Sequence, residues 1–220
     1  MKPLPSGEGF CCYLFRFNFQ TNCAMIDSSK AILLRFFQNH GLTAASVIEE
    51  ALSYFEEKCL FKNDFFLKEG VVSNEYMILE TGVLRAFTHD TEGADVTTSF
   101  YGAGSLVLEV ASFFHRTPSK ENMQALTDSK GWVITFEKLN GLFHAHPAFR
   151  ETGRSILVKG FASLKERMLS MINETAEQRY LTLLQKNPDI FQQAPLKHIA
   201  SYLGITDTSL SRIRKELAKR

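Results

Sequence analysis

Between Glu56 and Phe136 short runs of Phe, Val, Ile, Leu, Thr and Tyr are cut by turn signals at Lys68-Glu-Gly70, Glu80-Thr-Gly82, Glu92-Gly93 and Gly102-Ala-Gly104. A segment interrupted about every ten residues has no room for a long helix, and it predicts a compact all-β unit. Tyr76 to Phe87 reads as a hairpin turning at Gly82. Gln124-Ala-Leu-Thr-Asp128, followed by Gly131-Trp-Val-Ile-Thr-Phe136, supplies the closing strands.

Helical patterns flank this unit. Residues 28–56 read as helical, with Ile32, Leu33, Phe36 and Phe37 on one stripe. Thr43-Ala-Ala-Ser46 opens a second helix that carries Val47, Ile48, Ala51, Leu52 and Phe55. From Pro147 a long helix is expected to about Ile172. Its Leu157, Phe161, Leu164, Met168 and Met171 recur at alternating spacings of four and three, a heptad seam that predicts a dimer-forming helix. Thr175-Ala-Glu-Gln178 has the capping-box pattern of a new helix, carrying Ala176, Tyr180, Leu181 and Leu184, and Asn187-Pro-Asp189 breaks it.

The C-terminal segment, opened by Pro195, reads as a helix-turn-helix. Ile199 and Leu203 lie on one face of a first helix, and Ala200 is small enough for a second helix to cross closely. Gly204 suits the left-handed residue that ends the first helix, Ile205 plugs the turn, and Thr206 is the N-cap of the second. Leu210, Ile213 and Leu217 give that helix one buried face. Asp207, Thr208, Ser211, Arg212, Lys215 and Lys219 lie on the other, which suits a groove of DNA; Lys197, Thr206 and Ser209 join them as candidate DNA contacts. From Pro195 onward Lys197, Arg212, Arg214, Lys215, Lys219 and Arg220 stand against Asp207 and Glu216 only, whereas the chain of 220 residues has a net charge of +1. Basic charge is concentrated where phosphates would be met.

The composition, 45% hydrophobic and 22% charged, is that of a globular chain, and no apolar run approaches a membrane span. Cys11, Cys12, Cys23 and Cys59 form no regular disulfide framework, so a cytoplasmic protein with free thiols is expected. Residues 1–24 mix Pro, Gly and a Phe/Cys-rich patch without a signal-peptide cleavage pattern, and Met25 reads as the natural start. His144-Ala-His146 brings two imidazoles together without a further ligand at metal spacing. No nucleophile–base pattern or phosphate loop is present in the sequence, so neither an enzyme nor a bound cofactor or metal is expected.

A roll of eight strands, a long helix and a C-terminal helix-turn-helix, in that order, resemble the Crp/Fnr family of transcription regulators. Phe66-Leu-Lys-Glu-Gly70, the Tyr76–Arg85 stretch and the Pro195–Leu217 segment carry the resemblance, which covers about residues 28–220. It implies an α+β fold with a cyclic-nucleotide-binding-type roll. It also implies a homodimer through the long helix, double-stranded DNA as partner, and RNA polymerase as a further one. The expected organisation is a tail at 1–24, a sensor domain at 25–146, a dimerisation helix at 147–173 and a DNA-binding domain at 174–220. Relatives that bind cyclic AMP carry Gly-Glu and, further on, Arg-Ser or Arg-Thr, the arginine neutralising the phosphate. Here the matching residues are Leu108-Glu109 and Pro118-Ser119, with Arg116 two residues away. A phosphate buried without its cation is costly, so the effector is expected not to be cyclic AMP. The residues lining an effector pocket would be Glu109, Ser112, Arg116, Ser119, Lys120 and Gln124.

In the resemblance, Thr208 stands where relatives often place a cytosine-reading Glu, and Arg212 where they read guanine or phosphate. With the chain ending at Arg220, no β-wing is expected after the second helix. The Fnr branch holds an iron–sulfur cluster on three N-terminal cysteines and one in the roll. The adjacent Cys11-Cys12 pair does not match that ligation, and no cluster is expected. The alternative function is a sensor or interaction module whose helix-turn-helix does not bind DNA.

Overall fold

The protein is described by a computed structural model over residues 30–219. The tail, Met25, Cys11, Cys12 and Cys23 lie outside the described residues. Two short helices, α1 (Ala31–Asn39) and α2 (Ala45–Ser53), lead into eight strands: β1 (Glu56–Leu60), β2 (Phe65–Leu67), β3 (Glu75–Thr81), β4 (Leu84–His89), β5 (Asp95–Tyr101), β6 (Leu106–Val107), β7 (Asn122–Ala125) and β8 (Ser129–Thr135). A short helix, α3 (Val110–His115), interrupts them after β6. Then follow α4 (Phe136–Ala145), the long α5 (Pro147–Asn173), α6 (Ala176–Lys186), α7 (Pro188–Gln193), α8 (Leu196–Leu203) and α9 (Asp207–Leu217). The helix starts obey local chemistry. Pro147 opens α5, where its missing N–H costs nothing, and Thr175 and Gln178 form the capping box of α6.

The strands make two antiparallel four-stranded sheets, in the orders β1-β8-β3-β6 and β2-β7-β4-β5. This corrects the expected hairpin. Strands β3 and β4 do not pair; they belong to different sheets, and Gly82 is the corner where the chain crosses between them. It holds φ +93°, and a Cβ there would lie 2.2 Å from Ser129 Oγ. No side chain fits, because the β7–β8 connection turns the same corner beside it. Sequence alternation alone does not distinguish a hairpin from such a corner, since both need a glycine between two strands.

The alternation assigns each face. Met77, Leu79, Val107 and Val133 of the first sheet meet Leu67, Leu84, Ala86, Met123 and Ala125 of the second in the core between the sheets. The opposite face of the first sheet, through Tyr76, Ile78, Trp132 and Ile134, packs on Leu33, Phe37, Leu52, Leu142 and Phe149 of the helices. The outer face of the second sheet carries Arg85, Gln124 and Phe100, which are cross-strand neighbours. A third core lies there: Val83 and Leu126 of the roll share it with Tyr180, Leu183, Ile199, Leu203, Leu210 and Ile213. The molecule is therefore layered as helices, sheet, sheet and helix-turn-helix, and the last layer is cored jointly with the roll.

Candidate nucleic-acid interface and sensor pocket

Helix α8 ends as its sequence requires. Gly204 sits at φ +68°, the Ile205 amide donates to Ala200 O at 3.0 Å, and the Gly204 amide donates to Ser201 O at 3.0 Å. This pair of bonds satisfies carbonyls that the helix end would otherwise leave open. Thr206 then caps α9, its Oγ1 accepting from the Ser209 amide at 3.2 Å, and Asp207 complements the positive end of the helix. Leu210 and Ile213 are buried, Leu217 is half-buried, and Ile205 packs beside them in the turn.

The opposite side of α9 is open. Asp207, Thr208, Ser211, Arg212, Lys215 and Lys219 are all exposed, as are Arg214 and, on α8, Lys197. Three candidate contacts are largely spent on structure. Thr206 Oγ1 also lies 2.9 Å from Thr208 Oγ1 and 3.0 Å from Ser209 Oγ, so these hydroxyls hold one another at the start of the helix. The outward cations are thus carried on a helix whose buried face and first turn are both fixed.

Along α5 the seam residues are uncovered in the single chain. Phe161 is 72% and Leu164 66% exposed, and Leu157, Met168 and Met171 are exposed as well. Met171 differs from the other four, because its terminal methyl lies where a Cβ on Gly204 would be, against the turn of the helix-turn-helix.

The residues expected to line an effector pocket do not converge. Glu109 caps α3, accepting from the amides of Ala111 at 3.2 Å and Ser112 at 2.5 Å. Ser112 is buried, donating to Thr117 O and accepting from the Ser73 amide. Ser119 closes a turn through Glu121 O, and Lys120 is exposed. Arg116, with φ +56°, turns away. Its guanidinium donates to Ser73 O at 2.7 Å and Asn74 Oδ1 at 2.8 Å, and stacks on Phe136. Gln124 is placed on the outer face of the second sheet, bonded to Asn63 O and Arg85. That corrects the expectation that it lines the interior: Met123 and Ala125 face the core, so alternation turns Gln124 outward.

The polar groups that do meet inside were not read from the sequence. Burial pushes the Tyr101 hydroxyl and the Glu121 carboxyl up. Thr98 opposes the shift at Glu121, the Glu109 carboxylate adds to it, and Arg167 of α5 opposes it. Arg167 is itself bound to Thr98 O and Tyr202 O and stacks on the Tyr202 ring. Pro118 occupies the position of the phosphate-neutralising arginine, and Arg116 is spent on Ser73, Asn74 and Phe136. The residues present do not fit a cyclic nucleotide held as the cyclic-AMP pattern requires.

Also missed was the contact between roll and helix-turn-helix, centred on Arg85 and His198. Burial, followed by the Arg85 charge, pushes the His198 imidazole down to about 4. Its sequence signal is a lone arginine inside the apolar run Val83-Leu-Arg-Ala-Phe87.

Residues 57–146 match the cyclic nucleotide-binding domain family. No curated protein matches the sequence significantly. Among solved structures, FixK2 from Bradyrhizobium japonicum aligns at TM-score 0.65 and 17% identity, over 75% of this chain and 85% of that one. The regulator CLP of Xanthomonas campestris, described as c-di-GMP responsive, aligns at TM-score 0.63 and 16% identity, over 80% and 92%. A transcriptional regulator ascribed to the Crp/Fnr family from Eubacterium rectale aligns at TM-score 0.64 and 14% identity, over 84% and 88%. The class defined here is a cyclic nucleotide-binding domain joined by a long helix to a helix-turn-helix. That is the α+β fold of the Crp/Fnr regulators. No helix among the described residues is long and apolar enough to cross a membrane.

Proposed function

We propose that this protein is a sequence-specific DNA-binding transcription regulator, acting as a homodimer, whose roll responds to an effector other than cyclic AMP. The observation that carries the reading is α9: a helix capped at Thr206, buried along Leu210 and Ile213, with Arg212 and Lys215 exposed on its free side and Lys219 exposed just beyond its end. Such a helix has the dimensions and donors to enter a major groove, Arg212 donating two hydrogen bonds to one guanine edge. The uncovered α5 seam at Leu157, Phe161, Leu164 and Met168 supports a two-fold dimer, which would present two such helices to a two-fold site. The occupied Arg116, together with Pro118 at the position of the phosphate-neutralising arginine, supports an effector that is not cyclic AMP.

The test is a titration against an operator and its single-base-pair variants at several salt concentrations. Arg212→Ala is expected to cost about 1–3 kcal/mol and to relax specificity at one base pair per half-site. Lys219→Ala is expected to weaken all sequences alike and to lower the salt slope by about one. An Arg212→Ala protein that binds as tightly as the parent rules out α9 as the reader.

A further inference from the structure

Arg85 lies in the middle of β4, 4% exposed, on the sheet face that the helix-turn-helix covers. Its Nη1 is 2.7 Å from His198 Nδ1 of α8, and its Nη2 donates to Asp95 Oδ2 at 2.7 Å and to Gln124 Oε1 at 3.3 Å. The guanidinium stacks on Phe87, with its carbon 3.8 Å from the ring centre. A guanidinium has no acceptor, so His198 Nδ1 must accept, which fixes a neutral imidazole with its proton on Nε2. One helical turn on, Ser201 Oγ accepts from the Thr97 amide at 2.8 Å and donates to Asp95 O at 3.3 Å, so α8 also closes the free edge of β5.

We infer that Arg85 is a positioning residue for DNA binding: through His198 it latches α8 onto the roll and thereby fixes where α9 is presented. The inference rests on the DNA-binding reading above. Because α8 and α9 share one core with Leu203, Leu210 and Ile213, α9 follows α8 as a rigid unit. The latch is built to respond to the roll. Arg85 and Gln124 are cross-strand partners, and their chain neighbours Leu84, Ala86, Met123 and Ala125 all face the interior. A ligand that shifts β4 or β7 therefore moves the guanidinium. Directional hydrogen bonds fail over a few tenths of an ångström that the apolar contacts of Val83, Leu126 and Phe100 tolerate. A contact of this kind has two positions, held and released.

The charged groups around His198 are Arg85 from β4, Asp95 from β5, Lys197 on its own helix and Asp207 from α9. Protonation removes the acceptor and sets a second cation against Arg85, so acid should release the latch. The experiment is amide hydrogen exchange on the full chain without DNA, read at Thr97, in α8, and in β3 and β8 as an internal control. In the parent, Thr97 and α8 are expected to be protected at pH 7 and to lose protection as pH falls toward 4. Arg85→Met should lose it at pH 7 while β3 and β8 stay protected, which separates release from unfolding. His198→Gln, whose amide oxygen accepts without titrating, should stay protected at both pH values; His198→Lys should be released throughout.

Operator affinity measured on the same proteins should fall at least tenfold in Arg85→Met and be kept in His198→Gln. Unchanged exchange at Thr97 and α8 in Arg85→Met, or acid release that persists in His198→Gln, overturns the latch. Exchange as expected in a protein that binds no duplex leaves the latch standing and overturns the DNA-binding reading instead.

Discussion

If the α5 seam is a dimer interface, Leu164 sits near its middle, between Phe161 and Met168 on the repeat, and 66% of it is exposed in the single chain. Fully burying a leucine is worth about 1.5–3 kcal/mol, so covering the exposed two-thirds contributes about 1–2 kcal/mol per copy. A two-fold interface counts every residue twice, giving about 2–4 kcal/mol for the pair. Leu164→Ala keeps the helix and removes most of this, so the dimer dissociation constant should rise about 30- to 1000-fold. Leu164→Glu goes further, because association would then bury two unpaired carboxylates side by side, and no dimer is expected at micromolar concentration. Both substitutions lie on an exposed helix surface, so the monomer should keep its fold, checked by an unchanged far-ultraviolet dichroism spectrum. Sedimentation equilibrium over a concentration series gives the constants. Operator binding should weaken in parallel, since a monomer loses the linkage between half-sites. A Leu164→Glu protein that sediments as a dimer with the parent's constant refutes the seam.

The Gly82 corner is expected to tolerate no Cβ: Gly82→Ala combines strain of about 1–2 kcal/mol at positive φ with overpacking against Ser129 of about 1–3 kcal/mol. Gly93→Ala, at φ +83° with open space around it, should show the strain alone, and equal losses in denaturant titrations would mean that the corner is not packed as described. Calorimetry with cyclic AMP should give no heat of binding; micromolar affinity would show that Arg116 leaves Ser73 and Asn74 to meet the phosphate. His198 makes stability depend on pH in a defined window. Its folded value is about 4 against an ordinary 6.5, so between these values the unfolded chain takes a proton that the folded chain refuses. Stability should therefore fall as pH drops from 6.5 to 4, by about 3 kcal/mol in all, and level off below. Identical stability profiles for the parent and His198→Gln across that window would refute the assignment.

What the sequence by itself determined is local in origin. The Gly204 left-handed stop, the Thr206 cap and the Thr175–Gln178 capping box depend on side chains a few residues apart, and each forms where the spacing placed it. The all-β character of the stretch between Glu56 and Phe136 and the long helix likewise follow from alternation, turn residues and Pro147, because those patterns set which face each element can bury. The exposed face of α9 was legible for the same reason: burying Leu210 and Ile213 leaves Arg212 and Lys215 nowhere else to point.

Only the tertiary structure decided which strands pair. A glycine between two apolar runs serves a hairpin or a corner equally; β3 and β4 part at Gly82, β3 to pair with β8 far along the chain, and β4 to lie between the adjacent β5 and the more distant β7. It also decided which of the polar side chains of the roll meet. Arg116 is occupied and Gln124 is turned outward, while Tyr101, Glu121 and Arg167, far apart in sequence, come together. Arg85 and His198 are 113 residues apart, and nothing in either segment specifies the other. Their pairing exists because the helix-turn-helix completes its core on Val83 and Leu126 of the roll. Burial then forces a charged arginine to find whatever acceptors the opposing helix presents.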